Sequence, residues 1–237
     1  MEEHNTMAKR ENISMSVIRR LPRYYRFLRQ LRETGVTRIS STELSVKLGL
    51  TASQIRQDLN CFGGFGQQGY GYIVDQLCLE IGNILGLKGG YKAILVGAGN
   101  LGQAIASHMN FTEDGFELAG IFDSSPFKIG NRIGNLEVSD TSELEAFCAE
   151  HKPEVAVFCV PRSGSEEPSG RLVELGIKGF WNFSHYDLSV PYPEVVVENV
   201  QRGDSLMSLS FRFRHKVWSI LSSYHHTTIH KTNPPAR

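Results

Sequence analysis

Apolar residues recur at helical spacing from Ile13 onward, and Leu21, Tyr24, Tyr25, Leu28 and Leu31 share one face of a helix. Pro22 stands early in it, where a first turn tolerates proline or a kink results, and Gly35 ends it. Ser40-Ser41-Thr42-Glu43 is an S-x-x-E capping box that opens a helix through Leu44 to Lys47. Gly49 makes a turn, and Thr51-Ala52-Ser53-Gln54 is a second box opening a helix that carries Ile55, Leu59 and Phe62 inward. Two capped helices about a short glycine turn are a helix-turn-helix signal. From Phe62 to Tyr72 glycines alternate with aromatics and the helical period is lost, so Gln67-Gln68-Gly69 is placed at the tip of a hairpin, a wing. Helix returns over 73–87 on Leu77, Ile81, Ile84 and Leu85, and Gly86, Gly89 and Gly90 mark a boundary.

Beyond that boundary short apolar runs alternate with helical stretches. Ile94–Val96 and Leu118–Phe122 read as strands, Val155–Val160 as a fully buried strand closed by Pro161, Gly179–Ser184 as a strand with its exit loop, and Val195–Val197 as a last strand. Helices are expected over Gln103–Ala106, Asp140–Ala149 and Ser169–Leu175. Leu206, Leu209, Phe211 and Phe213 precede a final amphipathic stretch with Val217, Trp218, Ile220, Leu221 and Tyr224. The pattern predicts an α/β chain: an N-terminal winged helix-turn-helix domain over 13–88, a Rossmann-like parallel sheet over 89–205, a C-terminal helix over 206–224, and disordered tails at 1–12 and 225–237.

Charge changes this picture at one end. Formal net charge is zero over 237 residues, yet base is concentrated in residues 9–56, which suits an anionic partner there. Arg19, Arg20, Arg23, Arg26, Arg29 and Arg32 crowd the first helix with no acid between them before Glu33. Cys61, Cys78, Cys148 and Cys159 form no C-x-x-C pair, and no secretory signal is present, so buried free thiols in a reducing compartment are expected. No apolar run approaches bilayer length, which predicts a soluble cytoplasmic protein. His226 and His230 lack acids or cysteines beside them, so no metal is expected.

Candidate chemistry centres on Gly97-Ala98-Gly99-Asn100-Leu101-Gly102, a G-x-G-x-x-G between strand and helix. Gly97 allows the tight turn, Gly99 lets backbone approach a pyrophosphate, and Gly102 permits close helix–strand packing. The helix start offers N–H groups to phosphate. Asp123, ending the next strand, suits the hydroxyls of an adenosine ribose and favours NAD(H) over NADP(H), with Lys128 and Arg132 nearby to weaken that preference. The strand end at Val160 and Pro161 is expected to face the nucleotide. On the second helix of the helix-turn-helix, Ser53, Gln54, Arg56 and Gln57 fall where base edges are met, and Gln67 and Gln68 of the wing tip add a contact.

Arg19-Arg20-Leu21-Pro22-Arg23-Tyr24, Ile55-Arg56-Gln57-Asp58-Leu59, Phe62-Gly63-Gly64-Phe65-Gly66, Gly69-Tyr70-Gly71-Tyr72 and the Val96–Gly102 loop together resemble the Rex family of bacterial redox-sensing transcriptional repressors, from about Ser14 to Phe213. The resemblance implies a homodimer on a palindromic operator in double-stranded DNA. It implies release on NADH binding, competition by NAD+, and a C-terminal helix swapped between subunits. Asn182-Phe183 resembles the family's element beside the nicotinamide, where Asn182 either contacts the ring or satisfies loop backbone. Arg20 matches a family arginine that reports the nicotinamide's redox state, whereas His108 and Gln201 replace the usual Tyr and Asp of that switch. The alternatives are an NAD-dependent oxidoreductase with an accessory helical domain, for which His108 and His185 are the proton-transfer candidates, and a CoA-type ligand sensor. Little chain is left for a substrate domain, so no catalytic residue is assigned.

Overall fold

The computed structural model describes residues 13–63, 65–67 and 70–229. The chain divides into two compact units. One holds the residues up to Gly90 together with Asn110–Phe116, and the other holds Tyr91–Met109 with the residues from Glu117 onward.

In the first unit the expected long helix is two helices, α1 (Met15–Ile18) and α2 (Leu21–Glu33). Pro22 is the second residue of α2, where its missing N–H costs nothing, while a helix running through it would set its ring against the carbonyl of Ile18. α2 buries Leu21, Tyr24 and Leu28. After β1 (Arg38–Ile39), α3 (Ser41–Leu48) begins at Ser40 with both arms of the capping box formed: Glu43 N–H donates to Ser40 Oγ at 3.1 Å, and Ser40 N–H to Glu43 Oε2 at 2.8 Å. Gly49 closes α3 in the left-handed region at φ +62°. α4 (Ala52–Asn60) is capped by Thr51 Oγ1, which accepts from Gln54 N–H at 3.1 Å. The second box is half made, because the Gln54 side chain runs forward to Asp58 instead of back to Thr51.

β2 (Gly66–Gln67) and β3 (Gly71–Ile73) form the wing as an antiparallel pair, and β3 also pairs with β1. β1 has no counterpart in the sequence reading, since two residues show no period. Gln67 lies in β2 rather than at the tip, and Gln68 lies outside the described residues. α5 (Val74–Ile84) completes a core of Leu21, Leu28, Leu44, Ile55, Leu59 and Leu77. Residues 110–116, expected in the second domain, belong to this unit: Phe111–Asp114 is a single 3-10 turn, and Arg29 Nη1 donates to Glu113 Oε2 at 2.8 Å.

The second unit is a sheet in the order β10-β9-β8-β4-β5-β7-β6 among the described residues, formed by β4 (Tyr91–Val96), β5 (Phe116–Asp123), β6 (Arg132–Ile133), β7 (Leu136–Asp140), β8 (Val155–Phe158), β9 (Gly179–Asn182) and β10 (Val196–Asn199). The pairs β4–β8, β8–β9, β9–β10 and β5–β7 are parallel, and β6–β7 is an antiparallel hairpin. α6 (Asn100–His108), α7 (Leu144–His151) and α8 (Glu166–Glu174) connect the strands. The core is continuous apolar strand: Ile94, Val96, Phe122, Ala156, Phe158 and Phe180 are buried.

α9 runs Arg202–Ile229, longer than the expected 206–224, and residues 225–229 are helical where a disordered tail was expected. No glycine or proline lies between Asp204 and Asn233 to stop it. Cys78 and Cys148 are buried free thiols, but Cys61 is exposed, because it caps the end of α4 with its Sγ toward the Gln57 carbonyl.

Candidate functional site

The nucleotide cleft is built at the strand ends of the second unit. Gly97 turns the chain out of β4 at φ +100°, and a Cβ there would stand 2.8 Å from the Cys159 carbonyl, so only glycine lets the ends of β4 and β8 close on each other. A Cβ on Gly102 would overlap the Gly97 carbonyl oxygen, which makes glycine the condition for α6 to start against its own strand. Gly99 differs: a Cβ there would meet nothing nearer than Lys128 Nζ at 4.0 Å, so this surface is open to a ligand. Gly99 is also the N-cap of α6 in extended conformation, with no side chain capping the first turn of Asn100, Leu101 and Gly102. Those N–H groups and the positive helix end form an anion site.

Asp123 closes the cleft from the end of β5. Its carboxylate is 7 % exposed; Oδ2 accepts from Ala98 N–H at 2.7 Å and Lys128 Nζ at 3.0 Å, and Oδ1 accepts from Ser125 N–H at 2.8 Å. A carboxylate has about four acceptor positions, so these three bonds leave one direction for a further donor. Asp123 therefore stiffens the glycine loop as well as facing the cleft. Gly97, Gly99, Asp123, Lys128, Val160 and Pro161 all line one cavity of about 560 Å³. Ala98, Asn100, Leu101 and Gly102 form the loop and helix start beside it.

The cavity also reaches Thr141, Leu144, Glu167 and Arg171, which the sequence reading missed. Thr141 follows β7, and that strand carries a recognisable signal: Gly134-Asn135 is a two-residue hairpin turn between Ile133 and Leu136. Arg171 Nη1 donates to the Thr141 carbonyl at 3.1 Å, tying α8 to that strand end.

Asn182 and Phe183 do not line this cavity. Asn182 is 2 % exposed and fully bonded: Nδ2 donates to the Tyr186 carbonyl at 2.6 Å and Asn199 Oδ1 at 2.8 Å, and Oδ1 accepts from Ser184 N–H and Oγ. Of the two roles open to it in the sequence, the side chain performs the structural one, and no donor or acceptor is left for a ring. Phe183 is buried edge-on to Trp181, with centroids 4.7 Å apart. His108 is exposed at the C-terminal end of α6. Gln201 Oε1 accepts from His185 Nδ1 at 2.7 Å, and His185 adopts φ +61°, a left-handed conformation unusual outside glycine.

The second site is the outer face of α4 in the first unit. Ser53, Arg56 and Gln57 are exposed, and Arg56 Nη1 donates to Ser41 Oγ at 2.9 Å, which steadies the guanidinium over the start of α3. Gln54 is half-buried and gives one N–H to Asp58 Oδ1 at 2.9 Å, which leaves its second N–H and its Oε1 for a base edge.

Asp58, on the same helix, is a buried residue to which sequence reasoning gave no role. It is 1 % exposed and receives Arg20 Nε at 2.6 Å, Arg20 Nη2 at 2.7 Å, Tyr24 Oη at 2.6 Å and Gln54 Nε2. Burial alone would raise its carboxyl, but the bonds from Arg20, Tyr24 and Gln54 outweigh burial and hold it below the ordinary carboxylate range. Burial and the bond to Asp58 push the Tyr24 hydroxyl up. Arg20 is thus paired inside its own unit. Arg29 and Arg32 also have acidic partners, Glu113 at 2.8 Å and Asp75 at 3.8 Å, while Arg19, Arg23 and Arg26 stand exposed.

Among the described residues no cluster of His, Cys, Asp and Glu is arranged to hold a metal, and no helix is long and apolar enough to cross a membrane. Residues 12–60 match the family model described as "Putative DNA-binding protein N-terminus", and residues 89–186 match "CoA binding domain". The redox-sensing transcriptional repressor Rex of Clostridium perfringens (strain SM101 / Type A) is 51 % identical over 209 residues, 88 % of this chain and 98 % of that one. The repressor of the same name from Clostridioides difficile (strain 630) is 54 % identical over 205 residues, 86 % of this chain and 97 % of that one. A crystal structure of RSP in complex with beta-NAD+ and operator DNA superposes with TM-score 0.79 at 50 % identity, covering 89 % of this chain and 97 % of that one. RSP in complex with beta-NADH gives TM-score 0.80 at 47 % identity, covering 89 % of this chain and 99 % of that one. With half of its residues identical over nearly its whole described length, the chain belongs to the Rex family of redox-sensing transcriptional repressors.

Proposed function

We infer that this chain is a DNA-binding transcriptional repressor that senses NADH and NAD+ and releases its operator when NADH binds. The observation that carries the reading is the pairing, in one chain, of a capped recognition helix with an open glycine-loop cleft, at 50 % identity to a protein solved with both NAD+ and operator DNA. Gly97–Gly102 and the start of α6 hold the pyrophosphate, the remaining acceptor direction of Asp123 takes a ribose hydroxyl, and Lys128 stands between the two as a counter-charge. Val160 and Pro161 line the same cavity, with the Val160 backbone next to Gly97. Phe183 and Asn182 shape the exit loop of β9 without bonding the ligand. Arg56, Gln57 and Ser53 read the DNA, and Gln67 of β2 belongs to the wing of the same unit.

The active species is a homodimer on a palindromic operator. Leu206, Met207, Leu209, Phe211 and Phe213 on α9 are 56–69 % exposed, apolar surface that water does not favour and a second subunit covers, by exchange of this helix. The protein works in the cytoplasm, as a regulator and not as an oxidoreductase: His108 and His185, the candidate proton carriers, are both exposed and outside the cavity lining.

The deciding experiment is a titration of operator DNA with the full-length protein, NADH and NAD+ being added separately. NADH is expected to release the duplex at concentrations where NAD+ does not. Release by neither nucleotide overturns the sensing function, and hydride transfer to a small substrate would restore the oxidoreductase.

A further inference from the structure

We propose that Asp58 is a positioning residue for DNA reading, a buried carboxylate that sets the rotation and axial position of α4 through Arg20, Tyr24 and Gln54. The proposal rests on the repressor reading and adds to it a residue that touches no DNA.

The argument starts from where Asp58 stands. On α4 the exposed residues are Ser53, Arg56, Gln57 and Asn60, and the buried ones are Ile55, Asp58 and Leu59. A carboxylate thus occupies a position on the core face, where an aliphatic side chain would pack at no cost in desolvation. Every acceptor direction of Asp58 is used: Oδ1 by Arg20 Nη2 and Gln54 Nε2, Oδ2 by Arg20 Nε and Tyr24 Oη. Such saturation is the condition for a charge to persist in a core.

Direction is what these bonds supply and apolar packing does not. Arg20 is the N-cap residue of α2, Tyr24 lies one turn on, and Gln54 is in the first turn of α4. The side-on pairing of Nε and Nη2 with a carboxylate fixes a plane, because both bonds hold in one orientation only. Among the described residues these are the side-chain hydrogen bonds joining α2 to α4. Leu59 and Ile55 alone permit small rotations of the helix, as aliphatic contacts have no angular preference. A rotation of α4 by a fraction of a turn carries Arg56 and Gln57 off their base edges while leaving the domain folded. Gln54, which the spacing offered as a base reader, is one of the struts.

The test uses the full-length protein, a palindromic operator duplex selected by the parent protein from random DNA, and a scrambled duplex of equal length. Asp58→Asn is expected to keep its circular dichroism and its NADH affinity while losing roughly tenfold or more in operator affinity. Affinity for the scrambled duplex and the slope of affinity against salt are expected to stay at parent values, since phosphate contacts are untouched. Tyr24→Phe keeps the ring and removes one strut, and is expected to lower the ratio of operator to scrambled affinity in the same direction by less. A folded Asp58→Asn protein with the parent's ratio overturns the proposal. So does an equal loss on both duplexes, which marks Asp58 as merely structural. If Asp58→Asn does not fold, Tyr24→Phe decides, and an unchanged ratio there overturns the proposal. A parent protein that selects no duplex at all overturns the repressor reading itself, before any variant is made.

Discussion

Asp123 and Asp58 are two buried carboxylates with different surroundings and different consequences. Asp123 accepts from Ala98, Ser125 and Lys128 and keeps one acceptor direction toward the cleft. A 2′-phosphate placed there would meet a carboxylate, so NADH is expected to bind more tightly than NADPH in calorimetry, although Lys128 at 3.0 Å reduces the repulsion. Equal affinities would show that the ribose lies elsewhere. Asp58 has no direction left, and its carboxyl titrates below the ordinary range because its hydrogen bonds outweigh its burial. Stability from a depressed carboxylate is fully present above the unfolded value, about 3.9, and is lost as pH falls through the folded value. Thermal melts of the parent protein should therefore drop in that acid window, and melts of Asp58→Asn should drop less there. Parallel curves would show that another group controls acid unfolding.

At the scale of elements, what was legible in the sequence is what is local. The capping box of α3 is written in four consecutive residues, and both of its arms are formed. Removing it by Ser40→Ala should cost about 1 kcal/mol, read as a shift of the denaturation midpoint of the DNA-binding unit. A shift of zero would mean that the packing of Leu44 and Leu48 alone holds α3. The glycine loop was legible for the same reason, since the close approaches of Gly97 and Gly102 follow from one strand–turn–helix. What was not legible depends on partners distant in sequence or on very short elements. Asp58 is quoted in a motif but acquires a role only when Arg20 and Tyr24, more than thirty positions away, come beside it. Residues 110–116 were assigned by continuity to the nucleotide domain, whereas Glu113 is drawn into the first unit by Arg29. β7 was passed over because its five residues alternate weakly, though the Gly134-Asn135 turn announced it. α9 runs past the apolar positions that mark 206–224, because no residue there breaks a helix.

At the scale of the whole molecule the nicotinamide's charge is what separates NAD+ from NADH, and a ligand shifts an equilibrium only by its difference in affinity for the two states. Recognition helices of a dimer must stand about 34–36 Å apart to meet successive major grooves, so a modest rotation within the dimer abolishes binding. The family resemblance implies a relay through a tyrosine and an aspartate, where this sequence has His108 and Gln201. His108 is exposed at the end of α6, and Gln201 is engaged with His185, a residue held at φ +61° just after β9. In the relay that the resemblance implies, a neutral amide at position 201 supplies no carboxylate, and Arg20 is paired with Asp58. NADH and NAD+ are therefore expected to differ less in releasing the operator than they would with an acid at position 201. The combined variant Gln201→Asp with His108→Tyr should widen that difference. Operator release measured with each nucleotide in turn, on the parent and on the double variant, tests this. A double variant that separates the nucleotides no better than the parent would place the redox relay outside positions 108 and 201.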